Sequence, residues 1–130
     1  NARGERTQLI YPDGTSVNYS YRADGQLQTV SQGASTLASY RYDSAGRLTD
    51  LNAASGKILT GYGYDEADRL RITITNGNPS GEVYQELSRF TYTLDRMGRR
   101  TEAEEQLGSA DRVISYDYDG LGRLQDASNS

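Results

Sequence analysis

The stretch YRYDSAGRL, residues 40–48, recurs along the chain, and that recurrence limits the fold more than any other feature. Aligned copies are YSYRADGQL from Tyr19, YGYDEADRL from Tyr62, YTLDRMGRR from Tyr92 and YDYDGLGRL from Tyr116. The five cores occupy 19–27, 40–48, 62–70, 92–100 and 116–124, with leading tyrosines 21, 22, 30 and 24 residues apart. Nine of the eleven tyrosines fall at the two aromatic positions, and no core carries an insertion. Fixed cores with variable spacers are the mark of a repeat architecture, in which each unit is one supersecondary element.

Each core reads as a β-hairpin. Tyr40 and Tyr42 flank Arg41, the two-residue period of a strand with its aromatics on one face. Asp43 suits the start of a four-residue turn, because its carboxylate can accept from backbone amides two residues on. Gly46 supplies the positive φ that a type I turn with a G1 bulge demands. Leu48 then opens the return strand. Arg47 is placed either to pair with Asp43 or to lie over a tyrosine ring. The same roles fall to Tyr62, Tyr64, Asp65, Arg69 and Leu70, to Tyr92, Asp95, Gly98 and Arg99, and to Tyr116, Tyr118, Asp119, Gly122, Arg123 and Leu124. In the first core they fall to Tyr19, Tyr21, Gly25 and Leu27.

The departures follow backbone and burial logic. Asp68 stands at the glycine position of the third core, and Asp tolerates left-handed geometry better than most residues. Leu94 replaces a tyrosine but stays apolar. Arg22 replaces the turn acid, with Asp24 available to take over its role. Arg100 occupies a leucine position, so its strand is expected to be the least well buried. Leu27, Leu48, Leu70 and Leu124 are expected to complete a packed face, and the paired tyrosines to form aromatic ladders between hairpins.

Between cores, LIYPDGTSVNYSY reads as strand, turn and strand. LNAASGKILTGYGY holds a Gly-containing turn between two strands, and Arg71 to Thr75 alternates as a strand. NGNPSG is dense in turn residues. RTEAEEQL could make a turn or two of helix but has strand neighbours. The expectation is an all-β antiparallel meander of roughly ten to twelve strands, each adding about 4.8 Å of width.

Composition narrows the function classes. Leu, Ile, Val and Phe are scarce, and eleven tyrosines stand in for them, a balance suited to thin, partly solvated sheets. Cysteine and histidine are both absent, which removes disulfides, thiolate metal sites and the commonest general base. A net charge of -4 argues against nucleic acid. No apolar run reaches the length of a membrane span, and no signal peptide opens the chain.

YRYDSAGRL and YDYDGLGRL resemble the YD repeats of the Rhs family, found also in insecticidal toxin-complex B/C subunits and teneurins. The resemblance runs from about Ile10 to Ala127. It implies a β-strip that spirals into a hollow shell, in toxin members enclosing a variable C-terminal toxin domain. Residues 1–130 are accordingly read as one segment of about five repeats from a larger wall, secreted or at the cell surface of a bacterium, with any export signal elsewhere. The resemblance also implies a self-cleaving aspartyl site built around Asp-Pro pairs. Pro12 and Pro79 both lack a preceding Asp, so that site is not in this segment.

Other functions compare poorly. The repeated acids sit at turn starts, where structure explains them, and no nucleophile elbow or base accompanies them, so no enzyme activity and no cofactor are expected. DYDGLG at Asp117 to Gly122 lacks the further ligands of a calcium loop, and no metal is expected. Carbohydrate binding is the serious alternative, since tyrosine rings can stack on sugar faces and YD-repeat proteins have been associated with glycans. Open strand edges also predict self-association of the isolated chain, blunted by Arg6, Glu82, Glu86 and Glu104.

Overall fold

The computed structural model describes residues 1–77 and 83–129. The turn-rich stretch expected within 76–81 lies largely outside them, as does Glu82. The strand pairings along residues 8–53 and 70–129 are antiparallel. In chain order the strands are β1 Gln8–Ile10, β2 Ser16–Tyr21, β3 Leu27–Gln32, β4 Ser35–Tyr42, β5 Leu48–Ala53, β6 Ile58–Tyr64, β7 Leu70–Gly77, β8 Gln85–Leu94, β9 Arg100–Leu107, β10 Ala110–Tyr118 and β11 Leu124–Asn129. A single 3-10 turn, Ala54–Gly56, follows β5. RTEAEEQL is strand β9, not helix.

The chain divides into two compact units. Among the described residues one holds 1–59 with Val83, and the other 60–77 with 84–129. In the first, β1 to β5 lie side by side in chain order; in the second, strand order again follows the chain from β6 to β11. Two kinds of connection recur. Four-residue turns follow the tyrosine strands, and two-residue turns at Gly33 and Gly108 (φ 57° and 61°) return the chain.

A β-bulge recurs at the same place in the motif. Tyr40 pairs with Leu51, but Tyr42 pairs with Leu48, so Thr49 is the extra residue of the return strand. The same shift separates Tyr19↔Val30 from Tyr21↔Leu27, Tyr92↔Ala103 from Leu94↔Arg100, and Tyr116↔Ala127 from Tyr118↔Leu124. The extra residue brings two side chains three apart, such as Leu48 and Leu51, opposite the two tyrosine positions. Each hairpin therefore presents four large or apolar positions on one face.

Burial is shallow and unevenly placed. The buried hydrophobic residues among those described are Val17 and Ala103, at 9 % and 0 % exposure. Ala103 lies between Tyr92 on β8 and Ile114 on β10. Two burial expectations are therefore corrected. Leu70 and Leu124 are 37 % and 55 % exposed and do not complete a packed face, whereas Leu27 and Leu48 are half-buried. The Arg100 strand is not the least buried, because β9 is flanked on both sides and holds Ala103, while β11 is exposed along its whole length. Glu104 has strand neighbours on both sides, at Thr91 and Val113, so it does not guard an edge.

Candidate functional site

The repeated residues converge on the joints between hairpins, and each joint begins with a turn. In the second core, Asp43 Oδ1 accepts from the backbone amides of Ala45 and Arg47, both at 2.9 Å. Its Oδ2 accepts from Arg47 Nε at 2.7 Å, with Nη2 also at 2.7 Å. Gly46 N donates to Asp43 O at 3.1 Å, and Asp43 N to Arg47 O at 3.0 Å. Asp65, Asp95 and Asp119 repeat this arrangement with Arg69, Arg99 and Arg123. The glycine position carries positive φ in every core: 87° at Gly25, 82° at Gly46, 63° at Asp68, 82° at Gly98 and 81° at Gly122.

Where the turn acid is missing, a neighbour does its work. Arg22 keeps the backbone pattern, Arg22 N donating to Gln26 O and Gly25 N to Arg22 O. Asp24 Oδ1 takes the Gln26 amide at 3.2 Å, and Asp24 lies 3.3 Å from the Arg22 guanidinium.

Sequence reasoning missed a sixth turn. Asn1 Oδ1 accepts from Arg3 N and Glu5 N at 3.0 and 3.1 Å, and Gly4 (φ 77°) donates to Asn1 O. The signal was present in NARGER, which matches D-x-x-G-R-L with Asn for Asp, Glu for Arg and Arg for Leu. A search anchored on leading tyrosines passes over it, because this turn has none in the sequence.

Two contacts then link one hairpin to the next, in opposite directions. The second tyrosine of a core reaches back to the carbonyl at the ninth position of the preceding one. Tyr42 Oη donates to Leu27 O at 2.9 Å, Tyr118 Oη to Arg100 O at 2.8 Å, and Tyr21 Oη to Arg6 O at 2.8 Å. The eighth residue reaches forward to the following turn. Gln26 Nε2 donates to Gly46 O, and Arg69 Nη1 to Asp95 O, both at 2.6 Å. Arg99 pairs with Asp95 and also lies 4.6 Å from the Tyr118 ring centroid, so both roles left open for the motif arginine are filled at once there. Arg22 and Arg100 stand over the rings of Tyr42 and Tyr92 at 5.7 and 3.9 Å. Such contacts add roughly 0.5–1 kcal/mol each at exposed sites.

Tyr19, Tyr40, Tyr92 and Tyr116, the leading tyrosines, face Val30, Leu51, Ala103 and Ala127 across the hairpin. Tyr62 and Tyr64 are half-buried on β6. The fourth core has Leu94 where the hydroxyl belongs. Leu94→Tyr is expected to restore the donor toward the Leu70 carbonyl and raise stability by about 0.5–1.5 kcal/mol. Thermal unfolding checks this against Leu94→Phe, which supplies the ring alone and is expected to gain less.

The turn acids should make the fold sensitive to acid. The Arg47 amide, then the Arg47 side chain, hold the Asp43 carboxyl below its ordinary value of 3.8. Asp119 is lowered in the same way by Arg123. At Asp65 the Arg69 amide leads and outweighs partial desolvation. At Asp95 desolvation pushes upward, and the Arg99 amide and side chain, with the Met97 amide and the Arg99 charge, bring the carboxyl below that ordinary value. A carboxyl with a depressed folded-state pKa stabilises fully above its unfolded value and loses that contribution as pH falls through the folded one. The melting temperature should hold down to about pH 4 and fall below it. Replacing Asp43 and Asp119 together by Asn should flatten that fall, which melting curves across the acid range would reveal.

Hairpins of this form, joined by tyrosine hydroxyls and turn arginines, define a YD-type repeat sheet. The RHS Repeat family model matches residues 21–58 and 42–83. Human teneurin-4 is 33 % identical over 129 residues, which cover 92 % of this chain and 4 % of the teneurin. Double-stranded DNA deaminase toxin A of Burkholderia cenocepacia (strain H111) is 28 % identical over 130 residues, 95 % of this chain and 8 % of the toxin. The crystal structure of TcdB2-TccC3-TEV superposes with a TM-score of 0.78 at 22 % identity, over 97 % of this chain and 6 % of that one. The chain belongs to the RHS (YD) repeat family and spans a small fraction of the relatives it matches.

Proposed function

We propose that this chain is a non-catalytic wall segment of an RHS-repeat shell that encloses and sequesters a C-terminal toxin or effector domain for delivery outside the cell. The observation that carries this reading is the tyrosine joint. At Tyr21, Tyr42 and Tyr118 the polar end of the repeated residue is bonded to the backbone of the neighbouring hairpin. The motif's chemistry is thereby used in joining hairpins, and the turn acids are likewise engaged by their own backbone amides and arginines. The similarity to a deaminase toxin, and to the crystal structure of TcdB2-TccC3 without its hypervariable C-terminal region, supports the same reading.

The test uses the parent protein with its C-terminal domain, with and without residues 1–130, and follows protease access to that domain. Loss of protection on deletion is the expected result. Equal access in both forms would overturn enclosure and leave recognition of a glycan or cell surface by tyrosines as the reading. The isolated chain should also self-associate through its open strand edges. A gel-filtration mass of one chain at high concentration would count against that.

A further inference from the structure

The tyrosine joint lacks its ring between the third and fourth cores. Leu94 stands at the second aromatic position there. Leu70 O, the counterpart of Leu27 O and Arg100 O, is therefore offered no hydroxyl by the next core. What the substitution leaves is space. A groove of about 720 Å³ in the second unit is lined by Tyr64, Asp65, Arg69, Arg71, Thr93 and Leu94, and Leu70 sits between two of these residues.

The first unit holds the same groove with its ring in place. Asn1, Glu5, Thr7, Ser20 and Tyr21 line it at the motif positions of Asp65, Arg69, Arg71, Thr93 and Leu94. There the Tyr21 hydroxyl donates to Arg6 O, and the groove measures about 410 Å³. Exposure marks the difference too. Leu27, whose carbonyl Tyr42 meets, is half-buried, whereas Leu70 is exposed although β8 lies beside its strand. The wall of the larger groove is also set for an aromatic ring. Arg69 Nε donates to Asp65 Oδ2 at 2.7 Å and its Nη1 to Asp95 O at 2.6 Å, which fixes the guanidinium. Arg69 passes beside Gly98 as Arg99 passes beside Gly122, and Arg99 lies 4.6 Å from the centroid of the Tyr118 ring. A ring beside Leu94 would find a guanidinium already positioned to lie against its face.

We infer that this groove binds a small phenol, its ring beside Leu94 and against Arg69 and its hydroxyl donating to Leu70 O. The ligand takes the place that Tyr21, Tyr42 and Tyr118 fill at their own joints. A ring without a hydroxyl would bring Leu70 O no donor, and an aliphatic alcohol would offer Arg69 no π-face. The inference does not depend on the shell reading.

The test is an amide NMR titration of the 130-residue chain with p-cresol, which is the tyrosine side chain alone. Two controls divide its chemistry: 4-methylanisole keeps the ring but cannot donate, and cyclohexanol donates without an aromatic ring. Saturable p-cresol shifts should appear at the Tyr64, Arg69, Leu70 and Leu94 amides, with a Kd on the order of 1 mM. Binding of 4-methylanisole should be weaker by about fivefold or more, and cyclohexanol should not saturate. Leu94→Tyr should abolish the p-cresol response, because the chain's own ring then fills the groove. Leu94→Phe fills the same place and serves if Leu94→Tyr does not fold. Shifts that rise linearly without saturating, that persist unchanged in the filled variant, or that spread equally over all the tyrosine joints would overturn the proposal. Equal binding of 4-methylanisole would also overturn it, by showing that no ligand hydroxyl is bonded to Leu70 O.

Discussion

Gly46→Val and Gly122→Val should each destabilise the chain by about 1–3 kcal/mol, because valine is forced into left-handed backbone. Both glycines close a turn with φ near 80°, at 82° and 81°, and both donate the amide that holds the turn, to Asp43 O and Asp119 O. A side chain would also meet the neighbouring hairpin. A β-carbon on Gly46 would sit 3.1 Å from Gln26 Nε2, and one on Gly122 3.2 Å from Arg99 Nη1. Those are the residues that reach forward from the preceding core, so the substitution strains a turn and a joint together. Asp68 supplies the control. It holds φ 63° at the same motif position without being glycine, so Asp68→Gly should leave stability equal or higher. Unchanged thermal stability in both valine variants would remove the turn assignment.

The period of this fold is legible in the sequence because each hairpin depends on two chemically narrow requirements. Only a short side-chain acceptor can take the two amides that Asp43 takes, and only glycine, or a residue such as Asp68, sits easily at positive φ. Those positions recur whatever the spacer does. The tyrosines are legible as strand residues, since alternation survives as far as Tyr42. Past the turn it fails. The bulge at Thr49 places Leu48 and Leu51 on one face although they are three apart, a spacing that reads as helical by periodicity alone. RTEAEEQL hides its strand for the same reason, with Arg100 and Ala103 sharing the tyrosine face.

Burial was less legible than backbone. Ala103 is covered because strands on both sides bring Tyr92 and Ile114 against it, and Leu124 is open because β11 has one strand neighbour among the described residues. Neither fact is encoded near the residue concerned. The turn at Asn1 has no leading tyrosines to mark it, and the direction of the joints leaves no trace in the motif. Nothing in the core sequence says that its second tyrosine reaches backward while its arginine, or Gln26 in the arginine's place, reaches forward. The left-handed pair Ala54–Ser55 lies in a spacer beside Gly56, so the sequence marks a turn there but not the two residues before the glycine that also adopt positive φ.

Gly63→Val should be about as damaging as the turn variants, and for a different reason. Gly63 stands between Tyr62 and Tyr64 on β6, with no positive φ to protect. What it provides is space. A β-carbon there would run into Ile72 Cγ2 of β7, well inside van der Waals contact. The clash falls on a branched side chain close to its own backbone, which cannot swing clear as the end of a lysine could. Forcing added methyl groups into such a contact costs about 1–3 kcal/mol. The clash can be separated from a general loss of strand geometry by a compensating change. Ile72→Ala removes the offending methyl, so Gly63→Ala combined with Ile72→Ala should lose less stability than the two single variants added together. Strict additivity in denaturant melts would show that Gly63 matters for its backbone and not for the room it leaves. A positive coupling would identify Gly63 and Ile72 as one packing unit, in which the small residue of the YGYD core is chosen for the side chain on the next strand.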